Sequence, residues 1–379
     1  MNPVVEAILA RRSWRIYLDA PLPADTLAAL RRAAELAPSV RGGAATRVEL
    51  LDEPTAVHGL TRAITGNLVG KTNLWLRSAP PSAYAALVGD AERGRRHGDR
   101  FLYNVDVALT GELLALVAAA QGAGSCWMSA IDQTGVGRHL GLASHERVPS
   151  VLALGLPGRK RKSALFAAGW DRITRLVVSG RRKALADLHA VERFGDARRL
   201  PAADLDTLPD DARPLLEILA ALTPSAGFGG VAPAPADLAR LLEAMRLAPS
   251  ADNAQTWRFV VTTDRARVAE LLDAAGSLAA AAAAPGALVV LAAAPFLLKK
   301  INSEQPFALI DHPIALTHAL LVAETLGLHW NASIMFDHGA VRRAAGFPED
   351  HPVTALLWLD REGERSTAPH PEHVHLFRR

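Results

Sequence analysis

Five consecutive residues, Arg11-Arg12-Ser13-Trp14-Arg15, place three guanidinium groups and a hydroxyl in one short stretch. Guanidinium presents paired N–H donors that match phosphate oxygens, so the stretch has the makings of a phosphate clamp. Taken alone it also fits a solvated basic loop. A second polar set stands at 248–257, Ala-Pro-Ser-Ala-Asp-Asn-Ala-Gln-Thr-Trp, where Ser250, Asn253 and Gln255 offer a hydroxyl and two amides. Ala37-Pro38-Ser39 opens the same way, but Gly42, Ala44 and Thr46 then stand where the later stretch has Asn253, Gln255 and Trp257. The clamp is asymmetric in the opposite sense. Its equivalent, Leu222-Thr223-Pro224-Ser225-Ala226, holds no positive charge. Asn67 and Lys71 have no polar counterparts near Leu272–Gly276, and the basic run Gly158-Arg159-Lys160-Arg161-Lys162 faces the less basic Gly363-Glu364-Arg365-Ser366.

These stretches sit in a repeat. Glu6 to Ser39 match Glu217 to Ser250, a shift of 211, and Asp106, Gly122, Gly141 and Leu154 match Asp311, Gly327, Gly346 and Leu359, a shift of 205. A register held across so many landmarks marks an internal duplication with a six-residue deletion in the second copy. Each copy predicts a helix (4–11; 215–222), a second helix ending at Ala-Pro-Ser, and a strand (47–51; 258–262). A further helical stretch and a strand near 83–88 or 287–292 follow. A long apolar helix then runs from Asp106 or Asp311 to Gly122 or Gly327, with Asp as N-cap and Gly just past the end. A last strand (151–154; 355–359) closes the copy. Interspersed helices and strands predict an α+β fold. The expected divisions are 1–163, a connection at 164–213 able to wrap the partner half, and 214–379.

Composition narrows the class. The chain has 379 residues, half of them hydrophobic, and a formal charge of +3, which gives no argument for a nucleic-acid partner. Cys126 is the single cysteine, so no intrachain disulfide forms; a small buried residue in a reducing compartment is expected. Met1 to Ala10 lacks the apolar stretch of a secretory leader, and a cytoplasmic location is expected. The uncharged run 274–298 is broken by Gly276, Pro285, Gly286 and Pro295, so it reads as a helix end, a turn and a buried strand, with no membrane partner. The histidines of the second half and those at 370, 373 and 375 lack metal-site spacing, and no metal is expected.

In combination, Arg11–Arg15, the Ala248–Phe259 stretch and the helix end Ala118-Ala-Ala-Gln-Gly-Ala-Gly-Ser-Cys-Trp resemble the nitroreductase family of flavoproteins. The resemblance covers nearly the whole chain twice, apart from the connection. It implies two three-layer α/β/α halves forming a pseudo-dimer within one chain. Members of the family are usually homodimers with two FMN sites, each joining arginines of one subunit to an Ala-Pro-Ser-type loop of the other. Symmetry makes such sites equivalent; fusion removes that constraint. Site one would join Arg11, Arg12, Ser13 and Arg15 to Pro249, Ser250, Asn253 and Gln255. Site two would join Leu222–Ala226 to Ser39, Gly42 and Ala44 and lacks its contacts. One FMN per chain in a monomeric pseudo-dimer is the expectation.

The resemblance further implies roles. Arg11, Ser13 and Arg15 hold the phosphate, Arg12 the phosphate or flavin edge, and Lys160 or Arg161 adds charge. Asn253 and Gln255 bond the ribityl chain or ring, and Asn67 and Lys71 belong to the same site. Met128 and Ser129 lie beside the reactive ring edge, although Ser129-Ala130 replaces the Glu-Gly often found there. Trp257 reads as core support. Trp75, Tyr84, Phe101 and Tyr103 read as core or pocket lining. No catalytic side chain is assigned, because the flavin carries the redox chemistry. The implied activity is hydride transfer from NADH or NADPH through FMN to a small nitroaromatic, quinone or related acceptor. A flavin dehydrogenase or desaturase and a non-catalytic FMN-storing protein are the alternatives.

Overall fold

The architecture is that of a computed structural model, which describes residues 2–39, 45–94, 96–98, 100–158, 169, 181–276, 284–295 and 306–365. Its helices are α1 (Pro3–Ala10), α2 (Ala24–Leu36), α3 (Pro54–Ile64), α4 (Trp75–Ser78), α5 (Tyr103–Ala120), α6 (Gln133–Leu140), α7 (Leu215–Ala221), α8 (Pro235–Leu247), α9 (Arg265–Ala275), α10 (Ala308–Thr325) and α11 (His338–Ala345). Its strands are β1 (Thr46–Leu51), β2 (Ala83–Asp90), β3 (Arg96–His97), β4 (Arg100–Phe101), β5 (Gly124–Met128), β6 (Glu146–Gly155), β7 (His189–Val191), β8 (Ser225–Phe228), β9 (Trp257–Thr262), β10 (Ala287–Ala293), β11 (His329–Ser333), β12 (Val353–Asp360) and β13 (Gly363–Arg365).

The repeat returns as two sheets of the same plan. The first is ordered β1-β2-β6-β5, the second β9-β10-β12-β11, all antiparallel. β7, from the connection, adds to the second sheet in parallel with β9. Side chains alternate across each strand. In β2, Ala83, Ala85 and Leu87 enter the core shared by both halves, while Tyr84, Ala86 and Val88 face outward under α3 and α6. The second sheet is covered outside by α9 and α11 in the same way. Each half is thus a three-layer α/β/α unit.

The inner layer is common property. Every residue from Tyr103 to Ala118 of α5, and from Leu309 to Glu324 of α10, is buried. A helix apolar all round must be covered on all sides. These two pack against each other at the centre, flanked by α1, α2, α7 and α8. By length and composition α5 is able to cross a membrane, but 89% of it is buried inside the fold. Gly122 and Gly327 follow the two helices with φ of 70° and 66°, the left-handed turn that favours glycine.

One expected boundary is corrected. α5 and α10 begin three residues before Asp106 and Asp311, at Tyr103 and Ala308, and neither N-cap residue, Leu102 or Phe307, makes a side-chain capping bond. The two aspartates are buried inside the first turn, 1% and 4% exposed. Both oxygens of Asp311 accept instead from the backbone N–H of Ala251, at 3.1 Å. Asp signals a backbone donor in need of an acceptor, and here the donor lies sixty residues away in sequence.

Candidate functional site

α1 starts on Asn2, whose side-chain oxygen accepts from Val4 N at 3.0 Å, and buries Val4, Val5, Ala7 and Ile8. It ends where the clamp begins. Residues 13–14 then run along β5, the edge strand of the first sheet: Ser13 pairs with Ser125, and Trp14 N donates to Ser125 O at 2.9 Å. The Trp14 ring lies over Gly124, where a Cβ would come within 2.7 Å of it. Arg11 is buried, Arg12 exposed, and Ser13 and Arg15 are half-buried. The chain leaving β6 returns beside this stretch, with Leu18 N donating to Leu156 O at 2.8 Å. Lys160 and Arg161, which follow, lie outside the described residues.

β5 carries the site onward. Met128 is buried, and Ser129 Oγ lies 2.6 Å from Ser150 Oγ. Ala130 O accepts from Asn73 Nδ2 at 2.6 Å, which ties the 67–73 loop to this end of β5. Asn67 and Lys71 are exposed on that loop, and Asn67 Oδ1 accepts from Gly70 N at 2.8 Å. A Cβ at Gly70 would lie 1.9 Å from Ile64 O, and backbone does not yield as a side-chain end does. Gly70→Ala is expected to cost about 1–3 kcal/mol of stability, read as a lowered thermal midpoint.

From the other half, α8 leads into the arm. Ser250 Oγ accepts from Gln255 N at 3.0 Å, and Asp252, Asn253 and Gln255 have φ of 47°, 52° and 48°. Three non-glycine residues in that region make a loop its surroundings must hold. Part of the hold is Asp311. Burial raises its carboxyl to about 8, with the Ala251 N–H opposing and Asp252 adding to the rise. Trp257 is fully buried in the core, as expected.

Spacing gave no warning of what holds the rest. Residues 181–183 of the connection lie on the arm. Arg182 donates to the carbonyls of Arg246 (3.2 Å), Leu247 (2.8 Å) and Ala248 at the end of α8. Gln255 Oε1 accepts from Lys183 N at 2.8 Å, and its Nε2 donates to Arg181 O at 3.0 Å. Asn253 Nδ2 donates to Arg181 O at 3.3 Å, and Lys183 Nζ to Ala254 O at 2.8 Å. Burial lowers Arg182 to about 10, and the neighbouring Arg11 and Arg246 add to the effect. Arg11 and Arg182 therefore stand close together although they belong to the clamp and the connection.

The clamp meets the second half through Glu112. Arg11 Nε lies 3.6 Å from Glu112 Oε1, Trp127 Nε1 donates to Oε2 at 3.0 Å, and His318 Nε2 lies 2.8 Å from Oε1. His318 Nδ1 lies 2.9 Å from Ala244 O, on the helix that leads to the arm. A single acidic residue in the apolar run after Asp106 was the one sequence signal for Glu112.

Among the described residues, the equivalent place in the other half is occupied by other contacts. Ser225 takes the position of the clamp: its Oγ accepts from Trp330 N at 3.1 Å, where Trp330 is the repeat partner of Ser125. Leu222 is buried, and β8 pairs with β13. The β3–β4 hairpin of the first half reaches across, with His97 Nε2 donating to Phe336 O at 3.2 Å. Burial, then Arg100 and His97, hold His338 down at about 3. Its ring is therefore neutral; Nδ1 lies 2.9 Å from Val353 O, and Arg100 lies 3.2 and 3.3 Å from the two ring nitrogens. The cavity left there, about 10 Å³ between Phe101, His312, Ile334 and Thr354, has room for about one water. Phe101 thus lines this cavity, and Trp75, Tyr84 and Tyr103 are buried. Gly42 and Ala44 lie outside the described residues. Among the described residues no three of His, Cys, Asp and Glu gather as a metal-ligand set.

Two copies of one three-layer unit, joined around a common core with one clamp and one intact arm, define a tandem pseudo-dimer. The family model for the nitroreductase family matches residues 8–156 and again 230–358, and the chain belongs to that family. Similar solved structures include an FMN-dependent nitroreductase from Clostridium difficile R20291, 20% identical over 42% of this chain and 90% of its own, with a TM-score of 0.35. A nitroreductase with bound FMN from Bacteroides fragilis NCTC 9343 is 22% identical over 43% and 94%, with a TM-score of 0.35. A putative NADH dehydrogenase/NAD(P)H nitroreductase from Parabacteroides distasonis ATCC 8503 is 22% identical over 42% and 90%, with a TM-score of 0.36. No curated protein matches the chain.

Proposed function

We propose that the chain is an FMN-dependent oxidoreductase with one flavin site, between the clamp of the first half and the arm of the second. The observation that carries this is the charge at their junction. Arg11 and Arg182 bring two positive charges to a largely buried seam whose acid there, Glu112, is also held by His318 at 2.8 Å. Arg11 Nε is buried with no hydrogen-bond partner among the described residues. A phosphate monoester near −2 answers that charge, with the terminal nitrogens of Arg11 as its donors while Nε faces Glu112.

In this reading Arg11, Arg12, Ser13 and Arg15 hold the phosphate, with Arg182 beside them and Lys160 or Arg161 as further donors. Pro249, Ser250 and Asn253 orient the ribityl chain and ring. Gln255, buried with both ends of its amide bonded within the chain, braces that arm. Met128, Ser129, Asn67 and Lys71 line the ring side. FMN when bound supplies two-electron redox chemistry; the chain binds, orients and shields it. NADH or NADPH is the proposed reductant, and a small nitroaromatic, quinone or related molecule the acceptor. A second reading, flavin held without turnover, draws support from the arm: both ends of the Gln255 amide are engaged by residues 181–183 of the same chain.

The purified protein is expected to carry flavin at a ratio near one per chain, and NADH or NADPH without oxygen is expected to bleach it. Bound flavin that resists both nicotinamides favours holding over turnover. A ratio near two defeats the one-site proposal, and a protein that takes up no FMN defeats both readings.

A further inference from the structure

The hydrogen-bond pattern around His318 requires a proton count. Ala244 O can only accept, so His318 Nδ1 carries a hydrogen. On the other side Nε2 faces Glu112 Oε1 at 2.8 Å. A neutral ring and a carboxylate would set two acceptors against each other there, so one further proton lies between them. Four neighbours decide which side holds it. Arg11 stands 3.6 Å from the same oxygen, Arg182 lies near, and the Trp127 indole N–H points at Oε2. Each favours the ionised carboxylate. The fourth, the imidazole, is fully buried and shares that burial with Glu112, both 0% exposed. A buried charge persists when it is paired and hydrogen-bonded, and here both ring nitrogens donate.

We propose that Glu112 is a positioning residue for the clamp, held ionised across the seam by His318 as an imidazolium, and that this pair aims Arg11 at the phosphate. The proposal rests on the flavin reading above. It gives the second half a role in the clamp as well as in the arm. His318 joins Glu112 to Ala244 of α8, so the clamp and the arm share one rigid frame. Arg11 is 8% exposed and meets no other acid there among the described residues, so its placement depends on Glu112.

The test uses the full chain. Nitrogen-15 spectra of the histidine rings should show His318 protonated on both nitrogens, identified by the signal lost in His318→Gln. Glu112→Gln keeps both hydrogen bonds of that side chain, since the amide donates to a neutral His318 and accepts from Trp127, but it turns a donor toward Arg11. It should weaken FMN binding at least about tenfold and leave His318 protonated on Nδ1 alone. His318→Leu should weaken FMN similarly, and His318→Gln, which still donates to Glu112, should restore most of it. Those two variants decide the point even where Glu112→Gln folds poorly. A singly protonated His318 in the wild type, or unchanged FMN affinity in Glu112→Gln, overturns the proposal. A wild-type chain that takes up no FMN defeats the flavin reading instead, and the ring nitrogens still decide the pair.

Discussion

Arg11→Ala is expected to weaken FMN binding by about ten- to a hundredfold, the loss of one charge-assisted contact of roughly 1.5–3 kcal/mol. The arginine is buried, its Nε has no hydrogen-bond partner among the described residues, and its neighbours Glu112 and Arg182 are fixed by other bonds. Truncation therefore removes the guanidinium without collapsing the seam. Glu112 keeps His318 and Trp127. Fluorescence titration of the apo-protein with FMN measures the effect, and the thermal midpoint of the apo-protein reports the fold. Ser39→Ala is the matched control, because it touches the first half's Ala-Pro-Ser copy. Equal losses at both positions would mean two working sites and would contradict the proposed single one.

Asp311 is expected to contribute stability that is lost as pH rises between about 4 and 8. His312 and His338, which burial holds at about 3 against an ordinary 6.5, contribute in the opposite sense up to about pH 6.5. The Asp311 carboxyl sits at about 8 in the folded chain against an ordinary 3.8, chiefly through burial. The fold keeps its proton over a range in which the unfolded chain gives it up, so the unfolded state gains across that window. Below about 4 both states are protonated and the contribution is whole; above about 8 both are ionised and the loss is complete. Its size is on the order of a few kcal/mol. Asp311→Asn stays neutral throughout and retains an oxygen for Ala251 N. The difference in urea midpoint between wild type and variant, which cancels the histidine contributions common to both, should shift in the variant's favour from pH 5 to pH 8. Parallel slopes would assign the pH dependence to other groups.

Much of the architecture is legible in the residue pattern. The repeat shifts of 211 and 205 predict two sheets of one plan, and the structure has them. Periodicity reports local burial, and glycine after a helix reports a left-handed turn, so α5, α10 and their ends at Gly122 and Gly327 were readable. Asp106 and Asp311 lie inside their helices and not at the caps their spacing predicts, because an aspartate announces only that it serves a backbone donor, not which one. β7 was missed because three residues of a connection carry little pattern, and their place on β9 depends on the partner half.

The residue pattern alone shows two halves, with the arginine cluster 11–15 in one and the Ser-Asn-Gln stretch 249–257 in the other. Which groups meet at the junction follows from packing. Glu112 and His318 are 206 positions apart, and Arg181 and Gln255 are 74 apart. Coulomb and hydrogen-bond energies depend on distance, direction and exclusion from water. None of these is a function of separation along the chain; each is set when α5 and α10 pack and the connection closes over the arm.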